Sequence, residues 1–339
     1  MNLLMFLSDR CNMACDYCFL SLNSHPSTIL AEDRAARAVD RHLAAHGTRA
    51  RVTVLGGEPL LHPELSLSVA RRARKGGAKV TFVTNATKAT PELSSELAAL
   101  GVELSASVDG PAEVHDLHRR MAGGGPSHAA VAAALERLNP EDWRANLVLS
   151  EDTAGRLLSS VEWLRAKGFR RLSFHADVRA PWSETAHAAL AAALAGFGRY
   201  ARALRAASPG ALELWHLDSF RAPTPIEAGD ELVLGADGRY YASDAFLASP
   251  YGAGLAGAIG DADSGPDMAR RSAILSEAVA GARAAVGAAP CFTSPVESWL
   301  LAKVQGRDPA AAARAFARAD GLLGAALSPL AAEREGVRA

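Results

Sequence analysis

Apolar residues in this chain gather in short unbroken runs, each followed by a longer stretch where apolar positions recur every three or four residues. The runs end near Ser8, Leu55, Thr84, Ser107, Leu149 and Phe174 and predict buried strands. The periodic stretches cover 32–46, 63–75, 91–100, 128–138 and 153–167 and predict helices. Regular strand–helix alternation argues for a parallel sheet joined by right-handed crossovers. It extends over about 175 residues, whereas a complete eight-unit barrel takes about 250, so six units fit better. The expected fold is α/β: a partial (β/α)6 TIM-like barrel over 1–222 and a small C-terminal α+β extension over 223–339.

Beyond the alternating region the pattern changes. A helical stretch at 185–206 and a short β-like run at 212–216 precede two short β-like runs around Asp237-Gly238, which read as a hairpin. Alanine-rich segments at 188–195 and 310–315 read as helices without a functional message. Gly123-Gly-Gly125-Pro126 is a connector and not a phosphate loop, because no lysine and Ser/Thr follow in the required order.

With 339 residues, 49% hydrophobic residues and a formal net charge of −1, the chain fits a globular enzyme. Neither a basic surface for nucleic acid nor an acidic tail is indicated. The segment 2–7 is too short for a signal peptide and lacks a charged leading region. No apolar stretch reaches the roughly 20 residues of a membrane span. Clustered thiols suit a reducing compartment, so a cytoplasmic location is expected.

Three of the four cysteines lie in one short run, Cys11-Asn-Met-Ala-Cys15-Asp-Tyr-Cys18, directly after the first predicted strand. Soft thiolates this close can converge on one metal centre. Three ligands leave an iron–sulfur cube one site short, and an open iron can bind substrate or cofactor. A zinc site completed by one of the ten histidines, or a structural cluster completed by Cys291, has the same spacing. A second apolar run ends in Gly56-Gly57-Glu58-Pro59, where glycines allow close backbone approach and a carboxylate can accept from an ammonium group.

Together these two runs resemble the signature motifs of the radical S-adenosylmethionine (SAM) superfamily, in the same order. The resemblance implies one [4Fe–4S] cluster on Cys11, Cys15 and Cys18, with SAM chelating the open iron. It further implies reductive cleavage of SAM to a 5′-deoxyadenosyl radical that removes a hydrogen atom from substrate. Thr84-Asn85 and the segment from Ser105 through Ser107 to Asp109 resemble SAM-contacting strand ends, and Tyr17 matches an aromatic position near adenine. Without the family, Thr84-Asn85 is a helix cap and Asp109-Gly110 a turn. His115-Asp116-Leu-His118-Arg119 resembles a His-Asp-x-x-Arg segment of peptide-modifying members, with Arg119 facing a carboxylate; a solvated helix start is the alternative.

The hairpin resembles the SPASM or twitch extension of peptide maturases, which carries cysteines for auxiliary clusters. Here Ser243 stands where such a cysteine would be, and only Cys291 remains outside the N-terminal motif. Ser243, Asp244 or Glu227 would be hard oxygen ligands on sites that prefer thiolate. The extension is therefore read as degenerate, covering the barrel mouth without a metal. Cys291 is either a buried small apolar residue or a hydrogen-atom donor opposite SAM. His175 and Asp177 end the sixth strand where barrels place catalytic side chains, and His216 with Asp218 are a second such pair. The Pro181-Trp182 loop is a lid or a plain connection.

The expected function is a radical SAM maturase that crosslinks, oxidises or epimerises a ribosomally made peptide. The alternatives are a radical SAM enzyme on a small molecule (amino acid, sugar or antibiotic intermediate) and a non-catalytic iron–sulfur protein. Expected partners are the substrate and an electron donor such as flavodoxin or ferredoxin. Because the chain starts almost at its first strand, peptide recognition would fall to a separate leader-peptide-binding protein or to direct binding.

Overall fold

The computed structural model describes residues 1–18, 20, 28–215, 225, 227, 229–248, 254–288, 291 and 294–336. His216, Asp218 and the expected boundary at 222–223 lie outside the described residues. In chain order the elements are β1 (Asn2–Phe6), α1 (Glu32–His46), β2 (Arg51–Leu55), α2 (Pro63–Lys75), β3 (Lys79–Thr84), α3 (Pro91–Ala99), β4 (Glu103–Ser107), α4 (Ala112–His118), α5 (His128–Glu136) and β5 (Trp143–Leu149). There follow α6 (Leu157–Ala166), β6 (Arg171–Ala176), α7 (Glu184–Ala207), β7 (Glu213–Leu214), β8 (Glu231–Leu234), β9 (Arg239–Tyr241), β10 (Ala258–Asp261), β11 (Gly265–Pro266), α8 (Met268–Val286), α9 (Val296–Val304) and α10 (Pro309–Gly336). The six predicted strands are β1 to β6, and the five predicted helices are α1, α2, α3, α5 and α6.

The chain forms two compact units. The first comprises Met1–Ser107, Asp116–Trp143 and Gly229–Ser276. Within it β1 pairs in parallel with β2, β2 with β3 and β3 with β4. In β2 and β3 the residues Val52, Val54, Val80 and Phe82 are buried, while Thr53, Leu55, Thr81 and Val83 on the opposite face stay partly accessible. Alternation places the buried set against the helices and leaves the other face open. Helix α1 turns Ala35, Ala38, Val39 and His42 inward, the spacing of a single helical face. Thr90 caps α3 by accepting from the Leu93 N–H at 3.2 Å, with Pro91 preset for the first turn.

The hairpin is present, but not as a separate cover. Strand β8 adds to β1 in parallel, with Asn2 opposite Glu231 and Met5 opposite Leu234, and β9 returns antiparallel beside it. An unpaired edge of β1 would leave backbone groups exposed, and β8 satisfies them. One face of α1 reinforces the attachment. Arg34 donates to the Asp237 carbonyl at 3.2 Å, Arg41 to the Asp263 carbonyl at 2.9 Å, and Arg37 lies 2.7 Å from the Asp263 carboxylate. Inside the hairpin, Asp237 accepts from the Tyr241 hydroxyl at 2.8 Å and from the Arg239 N–H at 3.0 Å. Gly238 takes φ of 81°, the left-handed turn position that glycine tolerates.

The second unit comprises Val108–His115, Arg144–Ala228 and Glu277–Ala339. In it β5 pairs in parallel with β6, and β6 with β7. Leu172, Phe174 and Ala176 are buried on one face of β6, where Phe174 meets Phe197 of α7 edge to face at 5.4 Å. The opposite face carries Ser173, bonded to Asn146 at 2.7 Å, and the exposed His175. Ser183 caps α7 by accepting from the Ala186 N–H at 3.3 Å. No helix among the described residues is long and apolar enough to cross a membrane.

Asp237→Ala removes the acceptor of a buried tyrosine hydroxyl. Unfolding by urea is expected to show a loss of about 1–3 kcal/mol, with no change in the first-unit strand pairing seen by hydrogen exchange.

Candidate active site

The cysteine loop leaves the end of β1 and is fastened on three sides within the first unit. Toward β2, the Gly57 N–H donates to the Ser8 carbonyl at 2.7 Å and the Glu58 N–H to the Arg10 carbonyl at 2.8 Å. A Cβ on Gly57 would lie 1.9 Å from the Arg10 oxygen and 2.9 Å from the Cys11 nitrogen, so only glycine lets these backbones meet. Toward the residues that follow α4, the loop forms a short antiparallel pairing. Ala14 N–H donates to the Arg120 carbonyl at 2.8 Å, Asp16 N–H to the His118 carbonyl at 3.0 Å, and Ala122 N–H to the Asn12 carbonyl at 3.0 Å. Residues 121–126 then close as a tight turn, the Met121 N–H donating to the Gly125 carbonyl at 2.8 Å.

On the third side stands a polar network at the end of β3. The Glu58 carboxylate is buried and accepts from the Thr84 hydroxyl at 2.6 Å, the Asn85 N–H at 2.7 Å and the Leu60 N–H at 2.9 Å. The Asn85 amide donates to Asn12 Oδ1 at 2.9 Å and lies 3.8 Å from Cys11 Sγ. Thr87 closes the ring: its hydroxyl donates to Asn85 Oδ1 at 2.6 Å and accepts from Asn12 Nδ2 at 2.8 Å. Glu58, expected to accept from an ammonium group, already accepts from three protein donors. The Thr84 hydroxyl likewise points to Glu58, and Thr84 lies on the strand face opposite Ser105 and Ser107.

Cys11, Cys15 and Cys18 are all partly accessible. Burial pushes the Cys11 thiol up to about 12, opposed by the Met13 N–H, which donates to its sulfur at 3.3 Å. A bound metal cation offsets that desolvation and displaces the proton. Among the described residues no three His, Cys, Asp or Glu side chains close on one point as around a single ion. A cube takes each thiolate on its own iron, and soft thiolates on one loop are the donor type it prefers. Tyr17 is flanked by the Arg119 guanidinium, 5.2 Å from its ring centre, and by the His118 ring at 5.4 Å. Arg119 is only 6% exposed, so the solvated reading of this arginine does not hold. Asp116, from the same segment, accepts from the Ser127 and His128 N–H groups at 2.8 Å and so starts α5.

The remaining expected residues belong to the second unit. His175 is open to water on one side, yet the protein packed around it, and then the Arg144 charge, push its pKa down to about 4 and leave a neutral imidazole at pH 7. Asp177 accepts from the Arg179 N–H at 2.8 Å and shapes its own loop. Trp182 is buried and donates to the Asp177 carbonyl at 2.9 Å, a packed connection and not a free lid. Cys291 is 2% exposed, and burial followed by the Asp320 charge pushes its thiol up to about 11. That burial is what the packed-residue reading expects. Asp109 accepts from the Val148 N–H at 3.0 Å, and its own N–H donates to His115 at 3.3 Å, so both are fold residues. In the hairpin, Ser243 accepts from the Ala245 N–H at 3.1 Å.

Sequence reasoning gave no role to the Asn12 side chain, whose only signal is its place inside the cysteine run, and missed the pairing of 118–122 with the cysteine loop. Gly57→Ala is expected to push the loop off β2, lowering stability by about 1–3 kcal/mol and speeding alkylation of its thiols several-fold in the metal-free protein. Burial raises the Glu58 pKa above its ordinary 4.5, so the folded chain keeps a proton that the unfolded chain releases. Wild-type stability relative to Glu58→Gln therefore falls as pH rises from about 4.5 through the raised value, as urea unfolding between pH 4 and 8 will show.

Residues 5–176, half of the chain, match the family model described as Radical SAM superfamily. The chain is 32% identical over 167 residues to the AdoMet-dependent heme synthase of Methanosarcina barkeri, covering 48% of this chain and 46% of that protein. It is 26% identical over 158 residues to the serine-type anaerobic sulfatase-maturating enzyme of Bacteroides thetaiotaomicron, covering 42% and 38%. The matches thus span less than half the length of either curated relative. Among solved structures, native anSMEcpe with bound AdoMet shares the fold with a TM-score of 0.66 at 19% identity, over 80% of each chain. SuiB of Streptococcus suis bound to its precursor peptide SuiA gives 0.50 at 16% identity, over 73% of this chain and 60% of that one. The α/β architecture with its mostly parallel strands is the one seen in those enzymes, whose family uses a [4Fe–4S] cluster and SAM. On its cysteine run, its glycine-rich strand end and the match over 5–176, this chain belongs to the radical SAM superfamily.

Proposed function

We propose that this radical SAM enzyme holds its cluster on Cys11, Cys15 and Cys18 and acts on a ribosomally made peptide, introducing a crosslink, an oxidation or an epimerised centre. When bound, the cluster and SAM supply a 5′-deoxyadenosyl radical by one-electron cleavage of the sulfonium. The protein's own contribution is geometric and electrostatic. Gly56 and Gly57 let β2 approach the backbone of residues 7–11 and so hold the cysteine loop, and Arg119 beside Tyr17 offers a fixed cation for a carboxylate. Tyr17 presents a ring for an adenine, and Ser105 and Ser107 share one face of β4 as hydroxyl donors. The neutral His175 can take or give a proton at the end of β6, with Asp177 holding the loop beyond it. An electron carrier such as flavodoxin or ferredoxin would serve the loop, and a separate leader-binding protein is a further partner.

The observation that carries the peptide reading is likeness to protein-modifying relatives. A sulfatase-maturating enzyme matches in sequence, and anSMEcpe, also solved with AdoMet and a peptide, has the same fold over 80% of this chain. A second reading, action on a small molecule, draws on the higher identity to a heme synthase.

Anaerobic reconstitution followed by dithionite and SAM is expected to release 5′-deoxyadenosine, with about four irons per chain. Cys15→Ala is expected to reduce both to background. Candidate peptides encoded beside the gene are then assayed by mass: a loss of two hydrogens marks a crosslink or oxidation, and deuterium uptake without mass loss marks epimerisation. Turnover of a small molecule with every peptide unchanged would refute the peptide reading.

A further inference from the structure

The ring of side chains beside Cys11 does more than hold a loop. Asn85 Nδ2 points at Cys11 Sγ from 3.8 Å, and the Met13 N–H reaches the same sulfur at 3.3 Å. The carboxamide of Asn85 is fixed at both ends. Its oxygen accepts from the Thr87 hydroxyl and from the Thr87 N–H at 3.0 Å, its nitrogen donates to Asn12, and its backbone N–H is held by buried Glu58. These bonds decide which way the amide faces: only with nitrogen toward Asn12 Oδ1 does the oxygen face two donors. The NH2 group is therefore the end turned toward the sulfur.

We infer that Asn85 is a positioning residue that sets the reduction potential of the cluster through an N–H···S bond to Cys11, with Thr87 and Asn12 locking its amide. This rests on the reading that Cys11 ligates the cluster. Reduction adds one electron to the oxidised cluster and no proton, and the added charge spreads onto the ligand sulfurs. A fixed N–H dipole stabilises that charge more in the reduced state than in the oxidised one, which raises the potential. The same bond makes the Cys11 corner chemically distinct. Asn85 then governs how readily an electron arrives.

The test is an EPR-monitored redox titration of the reconstituted holoenzyme without SAM, comparing wild type with Asn85→Ser and Thr87→Val. Asn85→Ser is too short to reach the sulfur; its reduced-to-oxidised ratio at fixed potential is expected to fall about tenfold, a downward shift of about 59 mV for one electron. Thr87→Val keeps the donor but frees its orientation and is expected to shift in the same direction by a smaller amount. A structural role alone would change iron content or stability and leave the midpoint of the loaded fraction in place. An unshifted midpoint in Asn85→Ser carrying a full cluster overturns the inference; where that variant fails to load, an unshifted Thr87→Val does so. Failure of wild type to load a cluster would overturn the ligand reading itself, and this is seen before any variant is compared.

Discussion

One buried carboxylate organises the candidate site. Glu58 lies at the end of β2, yet two of its three donors come from the end of β3, so it ties two strand ends that carry different motifs. A carboxyl group suits this place because its two oxygens can accept from three converging donors and it carries no N–H to oppose them. A glutamine would turn an NH2 toward at least one of them, and an aspartate is one methylene too short. Removing the group would leave buried N–H and O–H groups without partners, each costing about 1–3 kcal/mol. Burial and hydrogen bonding act against each other on its proton, and burial prevails. From Glu58 the order passes through Asn85 to Asn12, and so into the cysteine loop.

Strand and helix positions were legible in the sequence because they follow from where apolar residues fall. Val52, Val54, Val80 and Phe82 announce β2 and β3 and are buried as that pattern requires. The motifs were legible because glycine and cysteine have few substitutes at such places. What stayed hidden depends on contacts between distant segments. Backbone pairing of Ala14 with Arg120 and of Asp16 with His118 leaves no mark on side-chain identity. The state of Arg119 turned on the same contact: its charge pointed to solvent, but the pairing lays it over Tyr17, where cation–π attraction and shielding from water favour a fixed guanidinium.

The hairpin is attached through its backbone and its side chains. With no cysteines around it, β8 gains its place from backbone pairing to β1, and α1 supplies three arginines on one face. Exposed ion pairs of this kind contribute little singly. Here two of the contacts are to backbone carbonyls, which fix the loops through direction as well as charge. The apolar side chains Leu232, Val233 and Leu234 carry most of the attachment, since they are buried where the sheet continues past β1.

Charge is the remaining constraint on the loop. Three thiols sit close together, and Cys11 already feels Glu58, Cys15 and Cys18 as neighbours that oppose its ionisation. Burial therefore keeps the Cys11 thiol protonated in the metal-free protein, and a metal bound there would displace that proton. The groups gathered around the loop answer that opposition: an N–H from Met13, an amide from Asn85 and the guanidinium of Arg119 all present positive ends. A loop built only to bind metal would need thiols at the right spacing and little else. One that accepted a further electron, as proposed here, would gain from having those dipoles held rigid beforehand, because reorienting them afterwards costs energy. The closed ring of Asn12, Asn85 and Thr87 provides that rigidity.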